Sequence, residues 1–390
     1  MKRLDLSPYI SPDKSSLIRG FLFSLLTEEK VLVSYSDSFP KDIKTAFKCL
    51  KKFRKKIILK NGFAEITGKS VEPDSVINCG NSATVMHLLM GIACFKGWKL
   101  ELTGDKSLLN RNHSSFYEAE KLYKGKFIET ELLISSAQLK SFHLLAMLKN
   151  GGKLHYTAKT RENTEVLLKE MGAEILTLHN SIEVKPAEKL RGYALFAKLD
   201  PSGSFIAASA ALILNKPFVI SGIYPEKLRM KPFNYLKKAG YQVKTVLKKG
   251  GYEVSWDGSI KKGVSKVVIS KNKVTEVVDE IPFIAYLAAR AGVCFELKNG
   301  GWLRNKESDR VHESAQRIGK FFETAETVDG FTVGKRKKKG AAKLFSSSDH
   351  RMEMVSKLIS LDQKIKFEVK GSYAVSFPEF LKLIEFLEKK

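Results

Sequence analysis

Residues 200–214 read DPSGSFIAASAALIL, a short polar cluster followed by an almost wholly apolar run. The cluster supplies Asp and Ser residues, whose side-chain oxygens cap helix N-termini. Because the run after it has no polar face, it predicts a helix that is buried on nearly all sides. A capping cluster that opens a buried helix is the pattern from which the architecture is inferred.

The same junction occurs six times in 390 residues, which gives 65 residues per unit. The other five clusters lie at residues 11–16, 80–84, 135–138, 279–282 and 346–350. Segments between them, such as LHNSIEVK, GGYEVSW and VSKVVIS, have the composition of short strands. The sequence therefore predicts an α/β or α+β class in which a supersecondary unit repeats six times and buried helices pack beneath sheets.

The composition is that of a basic globular protein. There are 67 Lys and Arg residues against 42 Asp and Glu residues, a formal charge of +25, and 43% of the residues are hydrophobic. This balance excludes a disordered or fibrous chain. The positive excess predicts an anionic partner, which could be nucleic acid, a membrane surface or a phosphorylated small molecule. The lysine runs at residues 51–56 and 335–339 are interpreted as solvated basic loops, because no nucleic-acid-binding module accompanies them.

No secretory or membrane segment is predicted. The N-terminal MKRLDLSP reaches acid and proline before any apolar run, and the longest uncharged stretch, residues 75–95, contains Asn78, Asn81 and His87. Four cysteines without C-x-x-C spacing argue against a zinc site and indicate reduced thiols in a cytoplasmic protein. A monomer is expected, because no coiled coil or exposed apolar helix predicts a partner.

Several helix openings combine capping residues with cations. Lys14, Arg19, Gln138 and Arg351 lie in or near first turns, where free N–H groups and the helix dipole favour phosphate or carboxylate. Residues 304–310, RNKESDR, hold three cations and two acids. One interpretation is a capped helix with surface ion pairs, each worth about 0–1 kcal/mol. The other is a carboxylate among cations, the arrangement of a proton-transfer site for anions. Spacing alone leaves both open.

At these stretches the chain resembles the 5-enolpyruvylshikimate-3-phosphate synthase family, the 3-phosphoshikimate 1-carboxyvinyltransferases. The matching segments run in the family's order and are DKSSLIR (13–19), GNSAT (80–84), LTGD (102–105) with Arg111, SAQ (136–138) with Lys140, D-x-S-x-S (200–204), DEIP (279–282), KESDR (306–310) and DHRM (349–352). The resemblance implies an enolpyruvyl transferase-like fold of two domains, each with three βαβαββ-type units. The first domain would span residues 14–198 and the second residues 1–13 plus 199–390, with the active site in the cleft between them.

The implied reaction transfers the carboxyvinyl group of phosphoenolpyruvate to the 5-hydroxyl of shikimate 3-phosphate, with release of phosphate. It proceeds by addition and elimination through a tetrahedral intermediate and requires no metal or organic cofactor. Both substrates are anionic small molecules, so neither a nucleic acid nor a membrane is an expected partner. Such an enzyme belongs to the shikimate pathway of aromatic amino acid biosynthesis.

The resemblance also implies roles for individual residues. The residues implied in catalysis are Lys14, Asp279, Lys306 and Glu307, with Asp279 a candidate general base and Lys306 and Glu307 a candidate proton-transfer pair. Those implied in binding shikimate 3-phosphate are Lys14, Ser15, Arg19, Ser135, Ser136, Gln138, Arg161, Asp279 and Lys306. Those implied in binding phosphoenolpyruvate are Lys14, Asn81, Ala83, Arg111, Gln138, Arg310 and Arg351, whose arginines suit bidentate recognition of carboxylate and phosphate.

Three positions depart from the family pattern. Ala83 and His87 stand where the family usually has Gly and Arg, and Val375 stands where some members have Lys. The methyl group of Ala83 is expected to project toward the phosphoenolpyruvate pocket, which glyphosate occupies in the family. We therefore predict reduced sensitivity to glyphosate. His87 is interpreted as a packing change, and Val375 would remove one phosphate contact.

Two alternative functions are considered. The sister carboxyvinyltransferase that acts on UDP-N-acetylglucosamine usually has a loop cysteine five residues before the arginine that matches Arg111. Lys106 stands there in this chain, and the KESDR segment favours shikimate 3-phosphate. A non-catalytic relative that binds nucleic acid through its lysine runs would show tight, salt-sensitive binding without turnover.

Overall fold

A computed structural model of the chain describes residues 3–37, 39–123, 125–132, 136–157, 159–261, 263–338 and 343–390. The strands are β1 (Leu4–Asp5), β2 (Val31–Ser34), β3 (Lys56–Lys60), β4 (Phe63–Thr67), β5 (Ile77–Asn78), β6 (Leu102–Thr103), β7 (Ile128–Leu132), β8 (Gly152–Tyr156), β9 (Ile175–Thr177), β10 (Ser181–Val184), β11 (Ala194–Leu195), β12 (Phe218–Ile223), β13 (Lys244–Lys248), β14 (Gly251–Trp256), β15 (Lys266–Ile269), β16 (Cys294–Leu297), β17 (Phe322–Thr327) and β18 (Gly330–Arg336). The helices are α1 (Lys14–Leu22), α2 (Lys41–Leu50), α3 (Ala83–Lys96), α4 (Lys106–Leu109), α5 (Ser114–Leu122), α6 (Ala137–Met147), α7 (Asn163–Glu170), α8 (Pro201–Ile213), α9 (Lys231–Lys238), α10 (Asn272–Glu276), α11 (Ile281–Arg290), α12 (Arg310–Gly319), α13 (His350–Asp362) and α14 (Phe380–Lys389). Short 3-10 turns lie at Ser7–Tyr9, Phe23–Leu26, Lys51–Phe53, Leu228–Met230, Gly301–Asn305 and Ser372–Val375.

All six predicted junctions open a helix, at α1, α3, α6, α8, α11 and α13. Four of them are capped by a side chain that accepts a backbone N–H of the first turn: Asp13, Ser136, Asp200 and Asp349. Every residue of α8 is buried, as the unbroken apolar run predicted. The prediction that buried helices begin at these clusters is confirmed, and side-chain capping is observed at four of the six.

Four sheets share one topology, in which a parallel pair is extended by an antiparallel hairpin. Their strand orders are β1-β12-β14-β13, β11-β2-β4-β3, β7-β8-β10-β9 and β15-β16-β18-β17. A fifth sheet consists of the parallel pair β5 and β6 alone. In the described part of the chain no strand is assigned after α13. The helix-and-sheet repeat is therefore fully developed in four units and reduced in the other two.

The chain divides into two compact units, one formed by residues 12–197 and the other by residues 1–11 with 198–390. Each unit contains its own hydrophobic core. In the 12–197 unit, α3 and α6 pack against each other at Gly91. A Cβ atom there would lie 3.0 Å from Leu145 Cβ and 3.1 Å from the carbonyl oxygen of Phe142. The bare backbone of Gly91 therefore allows the two helices to approach closely, which brings together the side chains that α3 and α6 carry one turn away.

The lysine run at residues 51–56 differs from its prediction as a solvated loop. Lys55 is buried, and its ammonium group donates to the carbonyl oxygens of Thr27 and Gly68, each at 2.6 Å. Burial lowers the pKa of Lys55 to about 8. Lys55 thus joins two backbone carbonyl groups from different segments of the unit.

No helix within the described ranges has both the length and the hydropathy that a membrane-spanning helix requires.

Candidate active site

Arg310 is the centre of a carboxylate cluster in the unit that contains residues 198–390. Its side chain is 3% exposed and donates at 2.8 Å to each of Asp279, Glu307 and Asp349. Asp349 is fully buried and also caps α13 through the N–H of Arg351. Burial disfavours the charge of Arg310, but the three carboxylates outweigh it, so the pKa of Arg310 is raised. Burial acts likewise against Asp349, yet Arg310 keeps the pKa of Asp349 lowered.

Arg351 lies at the edge of this cluster. Its side chain is 8% exposed, and its Nη2 lies 3.8 Å from Asp279 Oδ2. Within the described part of the chain, its Nε and Nη1 atoms are buried without any hydrogen-bond partner. Buried donors are rarely left unpaired in native proteins, so these two N–H groups indicate an acceptor that is supplied from outside the chain. A carboxylate or a phosphate matches the fork geometry of a guanidinium group.

The three cations of residues 304–310 make different contacts. Arg304 pairs with Asp309 and Glu326 at 2.8 Å and donates to the backbone of residues 327 and 328, so the surface ion-pair interpretation holds for it. Arg310 instead joins the buried cluster. Lys306 Nζ lies 5.0 Å from the centre of the Trp302 ring, a cation–π contact. Of the two alternatives that spacing left open, the surface ion pair is observed at Arg304, and the proton-transfer site stays a prediction.

In the 12–197 unit, α1 carries three predicted residues, with Lys14 and Ser15 in its first turn and Arg19 in its last turn. Lys14 pairs with Asp42 at 2.8 Å and keeps about a third of its side-chain surface exposed. Ser15 lies 2.7 Å from Arg19 Nη1. Arg19 is buried and also donates to Thr164 and Ser141, so it joins α1 to α6 and α7. Lys14 and Ser15 are the residues of this group that remain partly exposed.

The predicted phosphoenolpyruvate residues on this unit meet around the start of α3. Arg111 Nη2 donates to Asn81 Oδ1 at 2.7 Å, and both residues lie just outside regular helices. Ala83 is the first residue of α3 and is 8% exposed. The side chains of Asn81 and Arg111 are thus brought together, beside a helix N-terminus that attracts anions.

Gln138 lies between two residues of α3. Its amide group places Oε1 2.9 Å from His87 Nδ1 and Nε2 3.1 Å from Thr84 Oγ1. His87 Nε2 in turn lies 2.9 Å from His113 Nδ1, and His113 Nε2 lies 2.8 Å from the carbonyl oxygen of Leu108. The prediction that His87 only packs is therefore incomplete. Its ring is also hydrogen-bonded to Gln138, a residue that is predicted to bind substrate.

The remaining predicted residues are spread around α6 and α7. Ser136 caps α6 by accepting the N–H of Leu139 at 3.2 Å. Arg161 is exposed, just before α7. Lys140 is buried in an ion pair with Glu165 and is committed to the core of the unit. Ser135 lies outside the described residues.

Two buried histidines of this unit make its stability depend on pH. Burial lowers the pKa of His87 to about 3 and that of His143 to about 4. An unfolded chain binds these protons near pH 6.5, so stability is lost as the pH falls from about 6.5 toward 4, by up to about 1.4 kcal/mol per pH unit for each histidine. Urea denaturation at several pH values should show this slope, and His143→Phe should reduce it. An unchanged slope in that variant would contradict the assignment.

Sequence reasoning missed three partners. Asp349 was recognisable as a helix cap, but its contact with Arg310, 39 residues away, has no local signal. Asp42 and His113 are likewise brought to Lys14 and His87 only by the fold. In the described ranges, no group of three or more His, Cys, Asp or Glu residues is placed to hold a metal ion.

The comparisons with known proteins identify the family of the chain. The family model for EPSP synthase (3-phosphoshikimate 1-carboxyvinyltransferase) matches residues 2–119 and 116–384. The chain belongs to the EPSP synthase family. A curated 3-phosphoshikimate 1-carboxyvinyltransferase from Campylobacter fetus is 30% identical over 399 residues, and the alignment covers 95% of this chain and 93% of the relative.

Solved structures show the fold of the EPSP synthase family in this chain. An EPSP synthase from Acinetobacter baumannii has a TM-score of 0.82 at 24% identity and covers 99% of this chain and 96% of its own. An enolpyruvyl transferase from Streptomyces tendae has a TM-score of 0.65 at 13% identity, over 99% of this chain and 94% of its own. The predicted enolpyruvyl transferase-like α/β fold is confirmed.

Proposed function

We propose that the chain is a 3-phosphoshikimate 1-carboxyvinyltransferase, which transfers the carboxyvinyl group of phosphoenolpyruvate to the 5-hydroxyl of shikimate 3-phosphate. The observation that carries this proposal is the pair of unpartnered donors on Arg351, beside the cluster of Arg310, Asp279 and Glu307. Addition to phosphoenolpyruvate needs a guanidinium group that binds the carboxylate or phosphate of the substrate. It also needs a nearby carboxyl group that transfers a proton. Membership of the EPSP synthase family supports the same substrates.

The addition step requires a proton at the methylene carbon of phosphoenolpyruvate and removal of a proton from the attacking hydroxyl. Glu307 is suited to exchange the first proton, because its side chain is 47% exposed while Arg310 holds one of its oxygens. Asp279, held by Arg310 and facing Arg351, is the candidate base for the hydroxyl. In the elimination step, the new methyl group returns one proton to Glu307 and the carbon–oxygen bond to phosphate breaks. The departing phosphate takes up the proton that Asp279 removed from the hydroxyl.

Lys306 and the arginines supply the positive charge that this chemistry needs. Lys306 is next to Glu307 in the chain, where its ammonium group would stabilise a carboxylate or a phosphate oxygen. Arg351 and Arg310 would bind the carboxylate and phosphate of phosphoenolpyruvate. When a substrate anion arrives, Arg310 exchanges part of its contact with the carboxylates for contact with the substrate.

Residues of the 12–197 unit are proposed to bind the same two substrates. Lys14, Ser15 and the helix start at Ser136 would bind shikimate 3-phosphate, with Arg19, Ser135 and Arg161 of this unit and Lys306 of the other unit as further candidate contacts. Arg111 and Asn81 would bind phosphoenolpyruvate, and Gln138 would reach both. We propose that these groups and those of the Arg310 cluster face one cleft between two domains, which remains a prediction of the sequence.

The direct test is release of inorganic phosphate from phosphoenolpyruvate with each of two acceptors. We expect turnover with shikimate 3-phosphate and none with UDP-N-acetylglucosamine. The product should carry the carboxyvinyl group on the 5-oxygen, which mass spectrometry and NMR identify. Absence of turnover with shikimate 3-phosphate, in a preparation that is folded by circular dichroism, would defeat the proposal.

Ala83→Gly is expected to increase sensitivity to glyphosate. The methyl group of Ala83 would crowd the phosphoenolpyruvate pocket, and overpacking of this kind costs about 1–3 kcal/mol, which corresponds to roughly a 5- to 150-fold change in the inhibition constant. The constant should be measured in competition with phosphoenolpyruvate for parent and variant. Equal inhibition of the two, at the strength usual for members with Gly, would contradict this prediction.

The cellular setting is part of the proposal. We propose a cytoplasmic monomer of the shikimate pathway that requires no cofactor or metal and binds neither nucleic acid nor membrane. Light scattering tests the assembly state, and dialysis against a chelator before the phosphate assay tests the metal requirement. Retention of full activity is expected.

A further inference from the structure

His87, which stands where the family usually has an arginine, is paired with His113, and both are enclosed by the 12–197 unit. The two side chains are 4% and 8% exposed. The ring of Phe116 on α5 stacks on His87 with the ring centres 3.4 Å apart and the planes inclined by 8°. A ring held in this way has a fixed direction for each of its nitrogen atoms.

The direction of each hydrogen bond follows from the contact between His113 and the carbonyl oxygen of Leu108. The carbonyl oxygen of Leu108 can only accept, so His113 Nε2 carries the hydrogen of that 2.8 Å contact. A neutral His113 then has a bare Nδ1 atom, which accepts from His87 Nε2 at 2.9 Å. His87 therefore carries its hydrogen on Nε2, and its Nδ1 atom needs a donor.

The only group that can meet this need in the observed contact is the amide of Gln138, at 2.9 Å. His87 stays neutral, because burial lowers its pKa to about 3 and the nearby His113 and Arg111 act in the same direction. The nitrogen and oxygen of an amide are exchanged by a half-turn of the group, so the chain of donors decides their order. Nε2 of Gln138 belongs beside His87, and its Oε1 accepts the hydroxyl hydrogen of Thr84 across the 3.1 Å contact.

We propose that His87 and His113 are positioning residues that fix the amide of Gln138 and the hydroxyl of Thr84 for substrate binding. This inference deepens the proposed function and rests on it, because Gln138 is there assigned to both substrates. The relay uses one N–H of Gln138 and its oxygen, and leaves the second N–H to donate to a substrate oxygen. An arginine at position 87 would orient the amide the other way round. Because arginine can only donate, it would bind the oxygen of the Gln138 amide and not its nitrogen.

The first test reads the hydrogen positions without any need for activity. In the full chain labelled with ¹⁵N-histidine, two-bond ¹H–¹⁵N correlation spectra report which ring nitrogen carries the hydrogen. His87→Gln and His113→Asn assign the two signals by their disappearance. We expect His87 to be neutral with its hydrogen on Nε2 across about pH 7–8, and Nδ1 of His113 to carry no hydrogen in that range. A hydrogen on Nδ1 of either ring, or a cationic His87 in that range, would overturn the relay.

The second test separates positioning from mere packing. His113→Phe removes the acceptor for His87, so the KM for both substrates should rise about 5-fold, the effect of one lost hydrogen bond, with kcat within about twofold of the parent. His113→Asn should stay close to the parent, because its Oδ1 can accept from His87. The control is His143→Phe: His143 is equally buried, but its Nδ1 contacts Tyr123 at 2.6 Å and no proposed substrate residue.

An unchanged KM in His113→Phe, or an equal rise in all three variants, would overturn the positioning role. Thermal unfolding of each variant establishes that it is folded before its kinetics are compared. A parent chain that shows no turnover with shikimate 3-phosphate would defeat the proposed function. The hydrogen positions of His87 and His113 would still decide the relay.

Discussion

Replacing Arg310 with methionine is expected to abolish phosphate release and to lower the free energy of unfolding by about 3–5 kcal/mol. The reason is that Arg310 is the partner of Asp349, which is fully buried, and of Asp279 and Glu307. Methionine keeps much of the volume but leaves a buried carboxylate without its cation. The loss should appear as a lower midpoint in urea denaturation of the full chain.

Arg304→Met is the matched control for Arg310. Arg304 lies six positions earlier in the same segment and also pairs with two carboxylates, but its side chain is 25% exposed. Because exposed ion pairs contribute little, we expect a loss of about 0–1 kcal/mol and substantial remaining activity. Equal destabilisation by the two variants would show that the buried cluster has no special role.

Glu307→Gln is expected to lower kcat by about 10²–10⁴-fold while the KM values stay within a few-fold of the parent. Glutamine can keep the 2.8 Å contact with Arg310 through its oxygen, but it cannot exchange a proton. The side chain is about half exposed, so the free energy of unfolding should change little. Steady-state kinetics with both substrates, together with urea denaturation, separate these effects.

Glu326→Gln provides the comparison for Glu307. Glu326 pairs with Arg304 and His312 in the same unit and contacts none of the proposed catalytic groups. The kcat of the Glu326→Gln variant should remain near that of the parent. If Glu307→Gln and Glu326→Gln retain equal activity, Glu307 has no part in the proton transfer.

The fold could be predicted to the level of its repeated units because the pattern that specifies it is local. A capping residue such as Asp200 and the apolar run behind it lie within one stretch of chain, and the helix begins where they meet. The reduction of two units could not be predicted, since whether a strand forms depends on a neighbour in the sheet. Lys55 was misjudged for a related reason: its two carbonyl partners lie 28 and 13 residues away.

The sequence predicted the segments of the candidate site one at a time. It did not predict which residues of different segments would pair. The segments with Asp279, Lys306 to Arg310 and Arg351 were identified from their residue types, and the structure joins them through Arg310. That Arg304 turns away from this cluster could not be foreseen, because it has the same charge as Arg310 and lies in the same short segment of chain. The relay from His113 to Gln138 spans α3, α6 and the loop before α5, so spacing carried no signal for it.

The placement of β1 has a consequence for the order in which the protein is made. This strand is synthesised before residues 12–197, whereas its parallel partner β12 is synthesised after them, with Leu4 paired to Phe218. The sheet that it completes belongs to the unit of residues 198–390, whereas residues 12–197 can reach their own partners earlier. During synthesis, residues 12–197 should therefore fold before β1 pairs, because the partner of β1 is encoded more than two hundred codons later. Pulse-labelled hydrogen exchange during refolding would show late protection of Leu6, whose amide donates to the carbonyl oxygen of Val219.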